Sequence, residues 1–418
     1  MFIVEHEPDI INEADWIVDV GPGAGFNGGE IIFSGKKKDL EQVQNSITAR
    51  YLFKHETTLI SKNRQAKAYL QLKGITRNNL AELDVDIPLG VLSSVSGVSG
   101  SGKSSLISQA LVELLTKALG HKTVPAEETD VLQEEAPLTL DGKITGGLEK
   151  IKRMVLVDQK AIGRTPRSNL ATYTGLFDHV RKIFAASPMA RSRKYDAGRF
   201  SFNVAKGRCA TCQGEGFVMV ELLFLPSVYS PCPTCNGSRY NAKTLEVTYR
   251  DKNIADVLSM TVDEAFTFFN EEATIQHALE TLQQVGLGYL RLGQPATELS
   301  GGEAQRIKLA TELQRSSNGS TIYILDEPTT GLHPFDVEKL MQQLNRLVDL
   351  GNTVLLVEHD MSVIAASDWV IDIGPGAGSE GGKIVAEGKP EEVAKHKHST
   401  TASYLAKYMA PGLKKINQ

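Results

Sequence analysis

Residues Gly97-Val98-Ser99-Gly100-Ser101-Gly102-Lys103-Ser104 follow the pattern G-x-x-x-x-G-K-[ST]. That spacing suits a polyphosphate. Gly97, Gly100 and Gly102 let successive backbone N–H groups turn toward phosphate oxygens. A helix starting at Lys103 adds its positive end to the same anion. Lys103 is placed to reach the β- and γ-phosphates, and the Ser104 hydroxyl, with Ser105 beside it, to ligate Mg²⁺. Far downstream, Ile322-Tyr323-Ile324-Leu325-Asp326-Glu327 is an apolar run ending in two acids. Asp326 suits the metal's water shell, and Glu327 suits polarising an attacking water.

Further residues fall in a fixed order around these two motifs. Leu299-Ser300-Gly301-Gly302-Glu303 resembles the signature of ATP-binding-cassette (ABC) ATPases, where Ser300, Gly301 and Gly302 open a helix and form a second anion cup. Gln159 occupies the Q-loop position, and Thr330-Gly331-Leu332-His333-Pro334 the D-loop place. His359 follows an apolar strand, where the family's switch histidine contacts the γ-phosphate. Taken alone, Gln159 or His359 reads as a solvated loop residue. The complete order of the motifs carries the assignment.

All four cysteines lie between positions 209 and 235, as Cys209-x₂-Cys212 and Cys232-x₂-Cys235. Two such knuckles fit one tetrahedral Zn²⁺, and four thiolates leave no open position for catalysis. Four free thiols, or a redox pair, are the competing readings. Before the knuckles, Arg191, Arg193, Lys194, Arg199, Lys206 and Arg208 stand among Tyr195, Phe200 and Phe202. Basic residues with aromatics suit a DNA backbone and unstacked bases, though a solvated basic loop is the plain alternative.

These residues need elements to hold them. Residues 91–97 read as a buried strand leading into the phosphate loop, and 103–118 as a helix with apolar residues at helical spacing. Residues 322–328 and 353–360 read as two more buried strands. AYLQLKGITRNNL and LAELDVDIPLG read as two short strands joined by a turn. Strands alternating with helices imply an α/β fold with a largely parallel sheet. The fold class is thus α/β: a P-loop ABC-type nucleotide-binding domain with an inserted four-cysteine zinc module.

An internal repeat sets the domain plan. Residues 2–35 align without a gap to 355–388, an offset of 353, with 16 of 34 positions identical. Val4-Glu5-His6 matches Val357-Glu358-His359, and Gly21-Pro22-Gly23-Ala24-Gly25 matches Gly374-Pro375-Gly376-Ala377-Gly378. In the second copy this stretch closes a domain. Residues 1–55 therefore read as the tail of a truncated first ABC domain, with His6 inert. Residues 68–412 read as a second ABC domain, carrying a loop-rich insert at 121–150 and a zinc module at 198–240.

Composition limits the partners. Of 418 residues, 41% are hydrophobic and 23% charged, which suits a globular protein, and the net charge of −5 confines any nucleic-acid contact to a local patch. No apolar run reaches the ~20 residues a membrane helix needs, and the acidic start is no signal peptide, so a cytoplasmic address is expected.

GVSGSGKSSL, DQKAIGRTPRSNLATYTG, FSFNVAKGRCATCQGEG, LGYLRLGQPATELSGGEAQRIKLA and LDEPTTGLH closely resemble the C-terminal half of the UvrA family, over nearly the whole chain. The resemblance implies a cytoplasmic, dimeric ATPase that uses ATP, Mg²⁺ and Zn²⁺, binds damaged double-stranded DNA and passes it to UvrB. It also implies that the knuckles tune damage recognition. ABC sites are composite, so this chain's nucleotide needs capping by a first ABC half or a second copy; alone it should turn over poorly. The domain that docks UvrB in repair-type members has no counterpart here. Family relatives tied to antibiotic tolerance give the alternative, a drug-resistance ATPase that does not load UvrB. CATCQGEG also resembles cysteine-rich repeats of DnaJ-type chaperones, a binding-module reading that the ABC motif set opposes.

Overall fold

The computed structural model describes residues 1–23, 28–53, 59, 61–120, 141–222, 225–315 and 319–410. The chain divides into two compact units. One comprises Met1–Pro22, Gly28–Asp158 and Ser316–Gln418; the other comprises Gly23–Asn27 and Gln159–Arg315.

The first unit is built on a six-stranded sheet in the order Lys383–Gly388, Trp369–Gly374, Leu92–Ser96, Thr353–Val357, Thr321–Asp326, Arg153–Val157. All neighbours are parallel except the Lys383–Gly388 edge strand. Parallel strands covered on both faces read as continuous apolar runs. Val354 to Val357 and Ile322 to Leu325 are accordingly buried throughout. The phosphate-loop strand Leu92–Ser96 lies inside this sheet. A second sheet is antiparallel, in the order Leu80–Leu89, Ala68–Arg77, Asp141–Gly146. One cluster joins the two sheets: Leu70, Leu72, Val85 and Ile87 from the antiparallel sheet, Leu106, Ala110 and Leu111 after the phosphate loop, and Ile324, Leu355 and Ile371 from the parallel one.

The stretch expected to be a loop-rich insert ends in a strand, Asp141–Gly146, and its residues 121–140 lie outside the described residues. The helix expected over 103–118 begins with a π-helical turn, Ser105–Leu111, and continues as the α-helix Val112–Leu119.

The internal repeat extends further than the sequence alignment. Asp19 accepts hydrogen bonds from Ser46 Oγ (2.6 Å) and Thr48 Oγ1 (2.9 Å). At the same offset, Asp372 accepts from Ser399 Oγ and Thr401 Oγ1, each at 2.7 Å. Both carboxylates are buried, and each staples the interior of a strand to the start of a helix.

The second unit is mainly helical. Its aromatic core holds Phe184, Phe200, Phe202, Tyr240 and Phe269, all with relative exposure under 2%. The buried Tyr240 hydroxyl donates to Phe200 O at 2.8 Å. An antiparallel hairpin, Phe217–Leu222 with Leu225–Pro231, rises between the two cysteine knuckles. No helix among the described residues is long and apolar enough to cross a membrane.

A candidate nucleotide site and a four-cysteine centre

In the first unit, Gly97, Gly100 and Gly102 all adopt positive φ, at 137°, 76° and 112°. These are backbone angles that a side chain would strain, and they let the loop curl as a phosphate cradle requires. Lys103 Nζ donates to the carbonyls of Gly97 and Val98, both at 2.9 Å. The ammonium is thus drawn over the loop's own mouth. Burial pulls the Lys103 pKa down, opposed by the negative charges of Glu327 and Asp326. Lys103, Asp326 and Glu327 therefore share one electrostatic neighbourhood.

Asp326 ends the Thr321–Asp326 strand and accepts a hydrogen bond from Ser108 Oγ at 2.9 Å. Ser104 is exposed, while Ser105 Oγ accepts from Asn78 Nδ2 at 2.8 Å. Glu327 is a non-glycine residue in the left-handed region, with φ 45°. Such a conformation costs about 1–2 kcal/mol and points to function when the surroundings hold it. Its Oε1 lies 3.2 Å from Nε2 of His359. Glu327 and His359 thus form a pair just beyond adjacent strand ends.

Glu358 belongs to none of the motifs that the sequence marks out. Its side chain is 2% exposed and gathers four donors. Oε1 accepts from Thr329 N (3.1 Å) and Thr329 Oγ1 (2.7 Å). Oε2 accepts from the amides of His359 (2.9 Å) and Asp360 (3.4 Å). Burial pushes its carboxyl up to about 7, against the lowering effect of the Thr329 bond. One buried carboxylate therefore joins the D-loop turn to the switch histidine. The recurrence of Val-Glu-His in both copies of the repeat was the available signal.

In the second unit, Ser300 caps the helix Gly301–Leu313 in a capping box. Its hydroxyl accepts from Glu303 N, and its amide donates to Glu303 Oε2. Gln159 packs against Gly301: a Cβ there would lie 3.2 Å from Gln159 Cβ. Signature and Q-loop residues belong to this unit, whereas the phosphate loop, Asp326, Glu327 and His359 belong to the first.

Cys209, Cys212, Cys232 and Cys235 present sulfurs that all lie within 4.8 Å of one another. Cys212 and Cys235 Sγ are 3.7 Å apart, the edge expected of a tetrahedron with ~2.3 Å metal–sulfur bonds. No disulfide forms. The donor set fits a structural Zn²⁺. Arg239 adds to the fit. Only 4% exposed, its guanidinium donates to Pro166 O (2.8 Å) and Gly293 O (3.1 Å), and burial lowers its pKa, opposed by Tyr240 and by the neighbouring Cys212 and Cys235. A tetrathiolate zinc centre carries a net negative charge, which a buried arginine balances.

The basic segment is divided. Arg191, Lys194 and Lys206 are exposed, and Arg208 is partly so. Arg193 pairs with Glu246 at 2.5 Å. Arg199 stacks on Tyr195 (4.4 Å) and donates to Thr244 Oγ1 and Asn241 Oδ1, so its head group is committed to the fold. Phe200 and Phe202, expected to stack on bases, are core residues at 0% and 1% exposure, and this corrects that expectation. Alternation of aromatic and basic residues looks the same in sequence whether the rings face solvent or core.

The ABC transporter family model matches residues 235–330. UvrABC system protein A of Micrococcus luteus is 52% identical over 414 residues, covering 98% of this chain and 40% of that protein. The Haemophilus influenzae protein of the same name is 49% identical over 418 residues, covering 99% of this chain and 43% of its own length. The crystal structure of UvrA2 from Deinococcus radiodurans superposes with a TM-score of 0.90 at 61% identity, over 98% of this chain and 48% of that one. The chain thus spans less than half the length of the relatives it matches.

Proposed function

Homology along nearly its whole length makes this chain a member of the UvrA family, and on that premise we propose that it is an ABC ATPase portion that couples ATP to recognition of damaged double-stranded DNA in nucleotide excision repair. The observation that carries the ATPase reading is the convergence of Lys103, Asp326, Glu327 and His359 in one unit. Gly97, Gly100, Gly102 and Lys103 bind the phosphates. Ser104 and Asp326 would hold Mg²⁺, which would supply charge neutralisation for the polyphosphate. Glu327 orients the attacking water, and His359 steadies Glu327 and faces the γ-phosphate. Ser300, Gly301 and Gly302 cap the nucleotide of a partner ABC half or of a second copy, and Gln159 answers to that closure.

The four-cysteine centre holds Zn²⁺ as scaffold for a DNA-facing surface that includes Arg191, Lys194, Lys206 and Arg208. Arg193, exposed and paired with Glu246, and Arg199, bonded to Thr244 and Asn241, brace that surface. The setting is cytoplasmic, and UvrB is the partner that receives the lesion. Relatives named UvrABC system protein A favour this reading over the drug-resistance one.

The test is a titration with a lesion-bearing duplex and its undamaged twin at several salt concentrations. Each phosphate contact contributes about 0.9 to the slope of log K against log salt on duplex DNA. Replacing Arg191, Lys194, Lys206 and Arg208 by alanine should therefore flatten the slope by roughly 3–4 and leave the fold intact. Equal affinity for both duplexes, with an unchanged slope in the variant, refutes the reading.

A further inference from the structure

The repeated motif Gly-Pro-Gly-Ala-Gly-x-x-Gly-Gly has no part in the chemistry above. In its second copy, Gly374–Gly382, the structure lays this loop against the phosphate loop. Gly378 N donates to Gly100 O at 3.0 Å, and Gly382 N donates to Ser101 O at 2.8 Å. Asn79, at the turn between the first two strands of the antiparallel sheet, closes the arrangement. Its Nδ2 donates to Gly100 O (3.3 Å) and Gly378 O (3.1 Å).

The approach is too close for side chains. A Cβ on Gly382 would sit 2.0 Å from Asn79 O, and one on Gly97 would sit 2.1 Å from Ile373 O, in the strand that leads into the glycine loop. The physical need is plain. A loop that turns its N–H groups toward an anion leaves its carbonyls on the far side, where they require donors. The glycine loop and Asn79 supply those donors at Gly100 and Ser101.

We propose that Gly374–Gly382 and the Asn79 amide form a clasp that fixes the phosphate loop in its anion-binding shape, with Asn79 acting as a positioning residue through the Gly100 carbonyl. The clasp acts on the loop backbone, so its effect is blind to the base and ribose of the ligand. A loop held this way loses less conformational freedom when the anion arrives.

The inference rests on the ATP-site reading, and inorganic tripolyphosphate separates the two. Calorimetry of the full chain with Mg²⁺-ATP, Mg²⁺-GTP and Mg²⁺-tripolyphosphate is compared with Asn79→Ala, which removes the donor without adding a charge beside the anion. All three ligands should weaken by a common factor, on the order of tenfold for two lost hydrogen bonds. Loss for ATP with tripolyphosphate unaffected would make Asn79 a base contact and overturn the clasp. No loss for any ligand overturns it as well. Failure of the unaltered chain to bind tripolyphosphate removes the phosphate site itself, and the clasp with it. Should the variant not fold, amide exchange in the unaltered chain decides. The Gly378 and Gly382 amides should exchange more slowly once tripolyphosphate is bound, and unchanged exchange refutes the proposal.

Discussion

Glu358 offers a pH experiment whose sign and size come from its surroundings. In the folded chain its carboxyl titrates at about 7, because burial outweighs the bonds from Thr329 and His359. In the unfolded chain it should titrate near the ordinary 4.5. Between those values the native state holds a proton that the unfolded state has released, so stability falls as pH rises through the window and levels off above it. At 1.36 kcal/mol per unit, the full effect is about 3 kcal/mol. Glu358→Gln cannot titrate. Its amide also places an N–H₂ where backbone donors converge, a cost that is the same at every pH. The measurement is urea denaturation of both proteins at pH 5, 6, 7 and 8. It is followed by tryptophan fluorescence, because both tryptophans, Trp16 and Trp369, lie in the unit that holds Glu358. All other titrating groups are common to the two proteins, so the difference in stability isolates Glu358. The unaltered chain should lose ground to the variant as pH rises. A difference that stays constant from pH 5 to 8, or grows in the other direction, refutes the reasoning.

Two more perturbations address the remaining chemistry. Chelation should remove one zinc per chain and unfold the knuckle region of the second unit, since structural zinc contributes on the order of 10 kcal/mol in small zinc domains; metal-free protein with unaltered thermal unfolding by circular dichroism contradicts the tetrathiolate assignment. Glu327→Gln should leave ATP affinity intact and, in the capped complex with a partner ABC half or second copy, slow single-turnover hydrolysis by about 10²–10⁴-fold; turnover within tenfold of the unaltered chain in the same complex removes Glu327 from its role.

Local patterns were legible in the sequence wherever chemistry constrains near neighbours. The phosphate loop needs strand, glycines and helix in immediate succession, and residues 92–111 supply all three. Two C-x₂-C turns can aim four sulfurs at a point wherever the chain brings them together, and it does. What stayed hidden depends on partners distant along the chain. Ser108 meets Asp326 across 218 residues, and Asn79 meets Gly378 across 299. Neither pair has a spacing that announces it. The strand Asp141–Gly146 was hidden because its pairing with Ala68–Arg77, rather than its own polar sequence, makes it a strand. Arg199 and the two phenylalanines show the converse limit: a residue type suited to a ligand is equally suited to holding the fold.

If Lys103 shares a nucleotide site with Asp326 and Glu327, removing its ammonium must weaken nucleotide binding, and equilibrium binding of Mg²⁺-ATP to the chain and to Lys103→Ala measures that. The ammonium provides a charge-assisted contact to phosphate worth about 1.5–3 kcal/mol, so the variant should bind roughly 10- to 100-fold more weakly while remaining folded without nucleotide. Equal affinity in the two proteins would contradict the account.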